Sequence, residues 1–270
     1  MKPHVQLKYW QIALQFTATV GLAWAIYHGT WDWLGWMLLA YFVYGFFGVT
    51  VGYHRLEAHR SFETSPAWRY LLVTCGMLCT IASPLMNLLV HRTHHKYADT
   101  NRDSHSPTVQ GWREAWFGEW MERKVFLDPR VAKREVRARG YQLTHKYYVP
   151  ILAAYAFGLW AVDWKAALFL YAIPAALLFH VKGFFNTFGH TWGYRNHETD
   201  DDSRNSWLVN IVTVGDGWHN NHHADPSRWN ISERWYEVDF AAWFIQLIRR
   251  RPQPDRPKDL QELLRQGTKS

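Results

Sequence analysis

Three histidine clusters, each set beside a long apolar run, constrain this chain more than any other feature. They are His54-Arg-Leu-Glu-Ala-His59, His91-Arg-Thr-His94-His95 and Gly217-Trp-His219-Asn-Asn-His222-His223. A histidine pair at i, i+3 or i, i+4 brings both rings to one helix face, as a shared metal ion requires. One such pair is more often ordinary surface. Three histidine clusters, all in polar segments flanking apolar ones, exceed what packing or solubility needs and point to a metal enzyme. The donor set is imidazole, with no thiolate cluster and few carboxylates, which suits Zn, Cu, Fe or Ni rather than Ca or Mg. A single zinc takes three or four protein ligands. The eight clustered histidines, with His190 as a ninth, are enough for two ions. Spacing alone does not choose iron.

The apolar runs lie at about 10–27, 33–53, 147–162 and 166–185. The first two are long enough to cross roughly 30 Å of hydrocarbon. Turns at 28–32 and 163–165 pair the four into two hairpins, with Pro150 starting the third run and Pro174 kinking the fourth. The expectation is an all-α integral membrane protein, one domain over 1–270. Four transmembrane helices in two hairpins carry a histidine-rich catalytic head, with interfacial helices beside it. The run 68–90 is apolar enough for another span, yet it separates the first two clusters. One crossing would hold His59 and His91 about 30 Å apart, whereas ligands bond at about 2 Å. It is therefore expected to be interfacial or re-entrant. Residues 231–248 read as an amphipathic interfacial helix carrying Trp235, Val238, Phe240, Trp243, Phe244 and Leu247. The end, 249–270, reads as a flexible tail with a short helix at 257–266.

The mean hydropathy of −0.31 is low for such a protein. The 17 tryptophans and 15 histidines depress that scale, however, and tryptophan favours membrane interfaces. The net charge of +7 could suggest nucleic acid. Its basic residues crowd instead into loops beside apolar runs, which puts the clusters on the cytosolic side. Arg123, Lys124, Arg130, Lys133, Arg134, Arg137 and Arg139 form a basic stretch suited to anionic lipid or an acidic electron carrier. Cys75 and Cys79 form no Cys-x-x-Cys and read as small core side chains. No cleavable signal peptide is evident.

The boxes HRLEAHR, HRTHHKYADT and GWHNNHH resemble those of the membrane-bound fatty-acid desaturases, specifically the Δ9 acyl-CoA or acyl-lipid group. The resemblance runs from about Trp33 to Leu247, and Asn186 with His190 matches that group's Asn-x3-His element. It implies a di-iron centre held by His54, His59, His91, His94, His95, His190, His219, His222 and His223, with Asn186 acting through a bound water. Which histidine serves which iron stays open. The implied reaction uses O₂ to introduce a cis double bond, at Δ9, into a saturated acyl-CoA or acyl-lipid chain. No fused haem domain, dinucleotide fingerprint or iron–sulfur cysteine set is present, so the expected electron donor is a separate ferredoxin or cytochrome b5-like carrier. The expected location is a bacterial inner membrane.

Thr50, Phe46 and Phe42 sit at i−4, i−8 and i−12 from His54 and share its face on an α-helix. They are candidates for the wall and end of a substrate tunnel; the alternative for Phe42 is an aromatic packed on a neighbouring helix. Asp99, Asn101, Asp103 and Asp216 are candidates to orient ligand imidazoles. His105, His145, His180 and His197 fit no box and read as ordinary. Two other functions fit the boxes less well. A membrane di-iron lipid or carotenoid hydroxylase or ketolase would add an oxygen atom to its product. A non-catalytic metal sensor would leave lipids unchanged.

Overall fold

The computed structural model describes residues 3–118, 120 and 126–250. The principal helices are α1 (Pro3–His28), α2 (Leu34–Ala58), α3 (Pro66–Leu78), α4 (Pro84–Tyr97), α5 (Tyr148–Val162), α6 (Trp164–Phe188), α7 (Trp207–Thr213), α8 (His219–Ala224) and α9 (Phe240–Ile248). Among the described residues, β pairing is confined to three isolated bridges, Thr64–Arg249, Tyr194–Asn205 and Asn205–Trp218. Most of the predicted tail lies outside the described residues, as do Arg123 and Lys124.

Among the described residues two helices, α2 and α6, are long and apolar enough to cross a membrane, each with 25 residues and an 18-residue stretch of mean hydropathy 1.7. This is fewer than the four the sequence suggests. Helix α5 has 15 residues, about 22 Å at 1.5 Å per residue. Helix α1 has 26 residues but is more polar. Its glutamines turn inward: Gln11 Nε2 donates to the Thr80 carbonyl at 2.9 Å and Gln15 Nε2 to that of Ala176 at 3.1 Å. Ile12, Phe16, Val20 and Ile26 of α1 are left exposed on the outer face.

Helix α6 is the centre of the bundle, because α1 and α2 both pack on it. It is therefore α6, rather than its expected hairpin partner α2, that is the main neighbour of α1. The core there joins Leu14 and Ala18 of α1, Leu152 of α5, and Phe169 and Ile173 of α6. Close approach depends on small residues. A Cβ on Gly48 of α2 would lie 2.5 Å from backbone atoms of Cys75 and Gly76 in α3, so these two helices meet backbone to backbone. Cys79 is buried, as its sequence context suggests, and its thiol donates to the Tyr44 carbonyl at 3.0 Å.

The 68–90 run is two helices, α3 and α4, of 13 and 14 residues. Each begins Ser-Pro: Ser65 and Ser83 accept from the Trp68 and Met86 amides at 3.3 Å, with Pro66 and Pro84 in the first turn. Between them Thr80 takes a φ of +60°. The break lets α4 turn back against α2, which carries the second histidine cluster to the first.

Three other features differ from the sequence reading. Helix α2 does not stop at Tyr53 but continues to Ala58, wound as a π-helix over Val43–Ala58. A second π stretch, Leu168–Ala172, precedes Pro174, whose missing N–H a wider turn accommodates. The amphipathic helix is also shorter than expected. Only Phe240–Ile248 is helical, and it leaves Phe240, Trp243 and Leu247 exposed. Helix α7 exposes Trp207, Leu208 and Ile211 in the same way.

Candidate metal centre

The nine predicted histidines converge into two groups whose ligand nitrogens lie within 4.8 Å of one another inside each group. The first is His54, His59, His91, His95 and His222; the second is His94, His190, His219 and His223. The division follows from helix geometry. On α4, His91 and His95 stand at i, i+4 and face the first group while His94 faces the second. On α8 the pattern inverts, His219 and His223 facing the second group and His222 the first. Each of these helices thus serves both positions. Helix α2 supplies His54, the residue that ends it supplies His59, and the turn after α6 supplies His190.

The asparagines of the third cluster face the other way. Asn220 Oδ1 accepts from the Asn196 and His197 amides at 2.8 Å, and Asn221 Nδ2 donates to Glu237 at 2.8 Å. Asn205 Oδ1 accepts from the Asn220 and Asn221 amides at 2.9 and 3.2 Å, satisfying the start of α8. The His-Asn-Asn-His-His order is therefore a helix with imidazoles on one side and anchors on the other.

Buried arginines that follow the first histidine of two clusters fix the neighbouring backbone. Arg55 donates to both Asp239 oxygens at 2.7 and 2.9 Å and to the Gly215 and Trp229 carbonyls. Arg92 donates to the Glu57, Ala58 and Val131 carbonyls, tying α4 to the segment that presents His59.

Three of these rings are hydrogen-bonded from behind by carboxylates, and a fourth, His54, faces one at close range without a hydrogen bond. His54 Nδ1 lies 3.0 Å from Asp216, His94 Nδ1 2.8 Å from Asp103, His190 Nδ1 2.8 Å from Asp99, and His223 Nδ1 2.7 Å from Asp201. A carboxylate on Nδ1 fixes the tautomer and directs Nε2 inward. Burial alone would raise these acids, but the imidazoles they face hold Asp99, Asp103, Asp201 and Asp216 below the usual carboxylate range. Burial, then repulsion from neighbouring imidazoles, pushes His59, His91, His95, His219 and His222 well below the ordinary histidine value. Those rings are neutral at pH 7, the form that ligates.

The nitrogen positions themselves call for a cation. His222 Nε2 lies 2.9, 3.1 and 3.0 Å from the Nε2 atoms of His54, His59 and His95. One imidazole nitrogen offers a single proton or a single lone pair, so it cannot satisfy three such contacts by hydrogen bonding. Two nitrogens bound cis to one ion at about 2.1 Å stand about 3 Å apart, which matches. In the second group, His219 and His190 Nε2 are 3.0 Å apart, and His223 Nε2 is buried with no hydrogen-bond partner. Both groups fit a metal ion held by histidine.

A partly open cavity borders the first group. His54, His91, Thr50 and Asn186 line it, as does His105, whose ring stacks on His94 at 4.3 Å. His105 fits no box, so the sequence reading passed over it. Asn186 is buried, its amide donating to the Ala115 carbonyl at 3.2 Å. Phe42 and Phe46 are not on the cavity wall; they stack on each other, and Phe46 meets Phe244 of α9. The face of α2 that lines the cavity is Tyr41, Gly45, Val49, Thr50, Tyr53 and His54. The π winding rotates Phe42 and Phe46 off the face that α-helical spacing assigns them. Asp201 was also missed: it sits 22 residues before its histidine, and no local spacing marks it.

Comparison with known proteins agrees with this site. The fatty acid desaturase family model matches residues 29–246. The chain belongs to the fatty acid desaturase family. It is 32% identical to the sn-2 palmitoyl-lipid 9-desaturase of Nostoc sp. (strain 36), over 81% of this chain and 79% of that protein. It is 33% identical to Delta-9 acyl-lipid desaturase 2 of Arabidopsis thaliana, over 89% and 79%. A member named for another position and carrier, the Acyl-CoA C20 Delta5-desaturase of Anemone leveillei, is 31% identical over 79% and 70%.

Proposed function

We propose that this chain is an O₂-dependent fatty-acyl desaturase that places a cis double bond, at Δ9, in a saturated acyl chain carried as an acyl lipid or acyl-CoA. The observation that carries the reading is the pairing of two all-histidine groups with one largely apolar cavity. Two iron ions suit them: His54, His59, His91, His95 and His222 would hold one, and His94, His190, His219 and His223 the other, with Asn186 assisting through a water. Iron there supplies the O₂ redox chemistry that an unactivated C–H bond demands. Overall, two hydrogens leave adjacent methylenes, two electrons come from a separate ferredoxin or cytochrome b5-like donor and two protons from solvent, and O₂ is reduced to two waters.

The chain's own residues do the rest. Asp99, Asp103 and Asp201 orient the rings they hydrogen-bond and keep their Nδ1 atoms protonated, and the charge of Asp216 lies beside His54. The cavity wall of Gly45, Val49, Ile81 and Leu178 gives the acyl chain an apolar bed that excludes water. Gly45 leaves room there, since a Cβ would stand 3.1 Å from Leu178. We place α1, α2, α5 and α6 in the bilayer, a bacterial inner membrane, with the histidines at its cytosolic face. The exposed apolar residues of α7 and α9 rest in the interface. The exposed Arg130, Arg134 and Arg137 suit an acidic donor or anionic lipid.

The test is product mass. Purified iron-loaded protein, given a reduced donor, O₂ and a stearoyl substrate, is expected to yield a product lighter by two hydrogens. A product heavier by one oxygen would instead identify a hydroxylase.

A further inference from the structure

Helix α7 separates the cavity from an exposed surface. At its end Val212 and Thr213 line the cavity, with Val214 just beyond them, while Trp207, Leu208 and Ile211 are exposed. Its first turn is fixed on several sides. Val209 is buried, the Ser206 amide donates to the Gly217 carbonyl at 2.8 Å, and Asn210 Nδ2 donates to the Val238 carbonyl at 3.0 Å. Its end is tied to α2 by two hydroxyls. Tyr41 donates to the Val212 carbonyl at 3.2 Å and Thr50 to the Thr213 carbonyl at 3.1 Å. Both carbonyls belong to the last turn, which finds no amide inside the helix, and Tyr41 and Thr50 themselves line the cavity. The chain then leaves through Val214 at φ +58° and Gly215 at φ +132°. A β-branched residue in the left-handed region is strained, and strain of that kind gathers at segments that switch.

A saturated acyl chain avoids water. Entry through an aqueous mouth would expose every methylene, whereas entry through a seam facing lipid exposes none. Helix α7 carries no charged residue, so parting its end from α2 breaks two ordinary hydrogen bonds and no ion pair. We propose that the seam between α2 and α7 admits the acyl chain sideways from the bilayer, with Tyr41 and Thr50 as its latch and Val214–Gly215 as its hinge. The occupant is a saturated chain lying in the membrane, held there as a lipid ester or a CoA thioester. This rests on the desaturase reading, and on the place given to α7 in the interface, and deepens both. Thr50 stands four residues before His54 on α2 and both line the cavity, so a chain admitted there arrives beside the first histidine group.

The experiment uses the iron-loaded full chain in vesicles, with Thr50→Cys and Thr213→Cys combined so that a disulfide closes the seam reversibly. Stearoyl phosphatidylglycerol is supplied in one arm and stearoyl-CoA in the other, and the arm in which the wild type forms alkene names the carrier. Loss of free thiols verifies the cross-link, and iron content verifies the fold. Protein cross-linked before substrate is added is expected to lose alkene yield by on the order of tenfold or more, and to recover when the disulfide is reduced. Protein loaded with substrate first, then cross-linked and given reduced donor and O₂, is expected to complete one round and stop. Continued turnover of cross-linked protein would place the entrance elsewhere. No product from preloaded protein would show damage to the site rather than a closed entrance. Either result overturns the proposal. Where the cysteines do not join, Tyr41→Phe decides. With one latch bond gone, kcat/KM is expected to rise about twofold to tenfold, and a value unchanged or lower overturns the proposal. A wild type that forms no alkene in either arm would defeat the desaturase reading instead, which keeps the two failures distinct.

Discussion

The two histidine groups share helices α4 and α8 yet are built differently. The first has five imidazoles and one supporting carboxylate, Asp216 behind His54. The second has four imidazoles and three carboxylates, Asp103, Asp99 and Asp201, behind His94, His190 and His223. The first also borders the cavity through His54 and His91, whereas none of the four histidines of the second lies on its wall. A carboxylate on the far nitrogen makes an imidazole a stronger, more fixed donor. The second position compensates for fewer ligands with basicity and negative charge. The first relies on number and burial, with Asp216 as the one carboxylate beside it.

The largest expected effect comes from His94→Ala, which leaves the second group three imidazoles. Iron analysis should show about one ion lost per chain, and activity should fall by at least a hundredfold. His95→Ala leaves four imidazoles in the first group and should keep more iron than His94→Ala; equal losses would erase the contrast. Next, Asp201→Asn and Asp103→Asn should each weaken iron binding at the second position by roughly tenfold to a hundredfold. Competition with a chelator measures this, and Asp216→Asn should act on the other ion.

The pH dependence of the metal-free protein separates burial from carboxylate support. His59, His91, His95 and His222 have folded values below the unfolded one, so as pH falls below about 6.5 the unfolded chain takes up protons that the folded chain refuses. Stability should therefore fall between pH 7.5 and 5.5 in detergent melts, and His91→Ala should flatten that slope. Asp103 and Asp201 act with the same sign in a lower window: their depressed values give stability present above about pH 4 and lost only at stronger acid. The smallest effect concerns the cavity. Phe42→Ala should leave the preferred chain length unchanged, while Gly45→Leu should shorten it, as read from product profiles.

The comparison also shows which parts of the molecule the sequence reveals. Eight of the nine converging histidines were legible from short spacings, i, i+3 and i, i+4 in the second and third clusters and i, i+5 in the first, and His190 came with Asn186 as a recognised pair. The division into two groups was not, because it depends on how α4 and α8 face each other across the fold. Asp99, Asp103 and Asp216 lie within a few residues of a histidine cluster and could be suspected; Asp201 reaches His223 only through tertiary folding. Apolar runs gave the helices of the bundle but not their ends. His54 lies inside α2 because π winding and burial carry the helix past the point where the sequence turns polar. The same winding moved Phe42 and Phe46 off the cavity wall. A run such as 68–90 shows apolarity but not the Thr80 break that lets α4 fold back.

The most direct measurement is the iron content of active, purified protein, taken per chain. The paired-centre account predicts two iron ions in the wild type and about one in His94→Ala, with the remaining ion insufficient for turnover. An active preparation holding a single iron per chain, or full activity with zinc in its place, would contradict it.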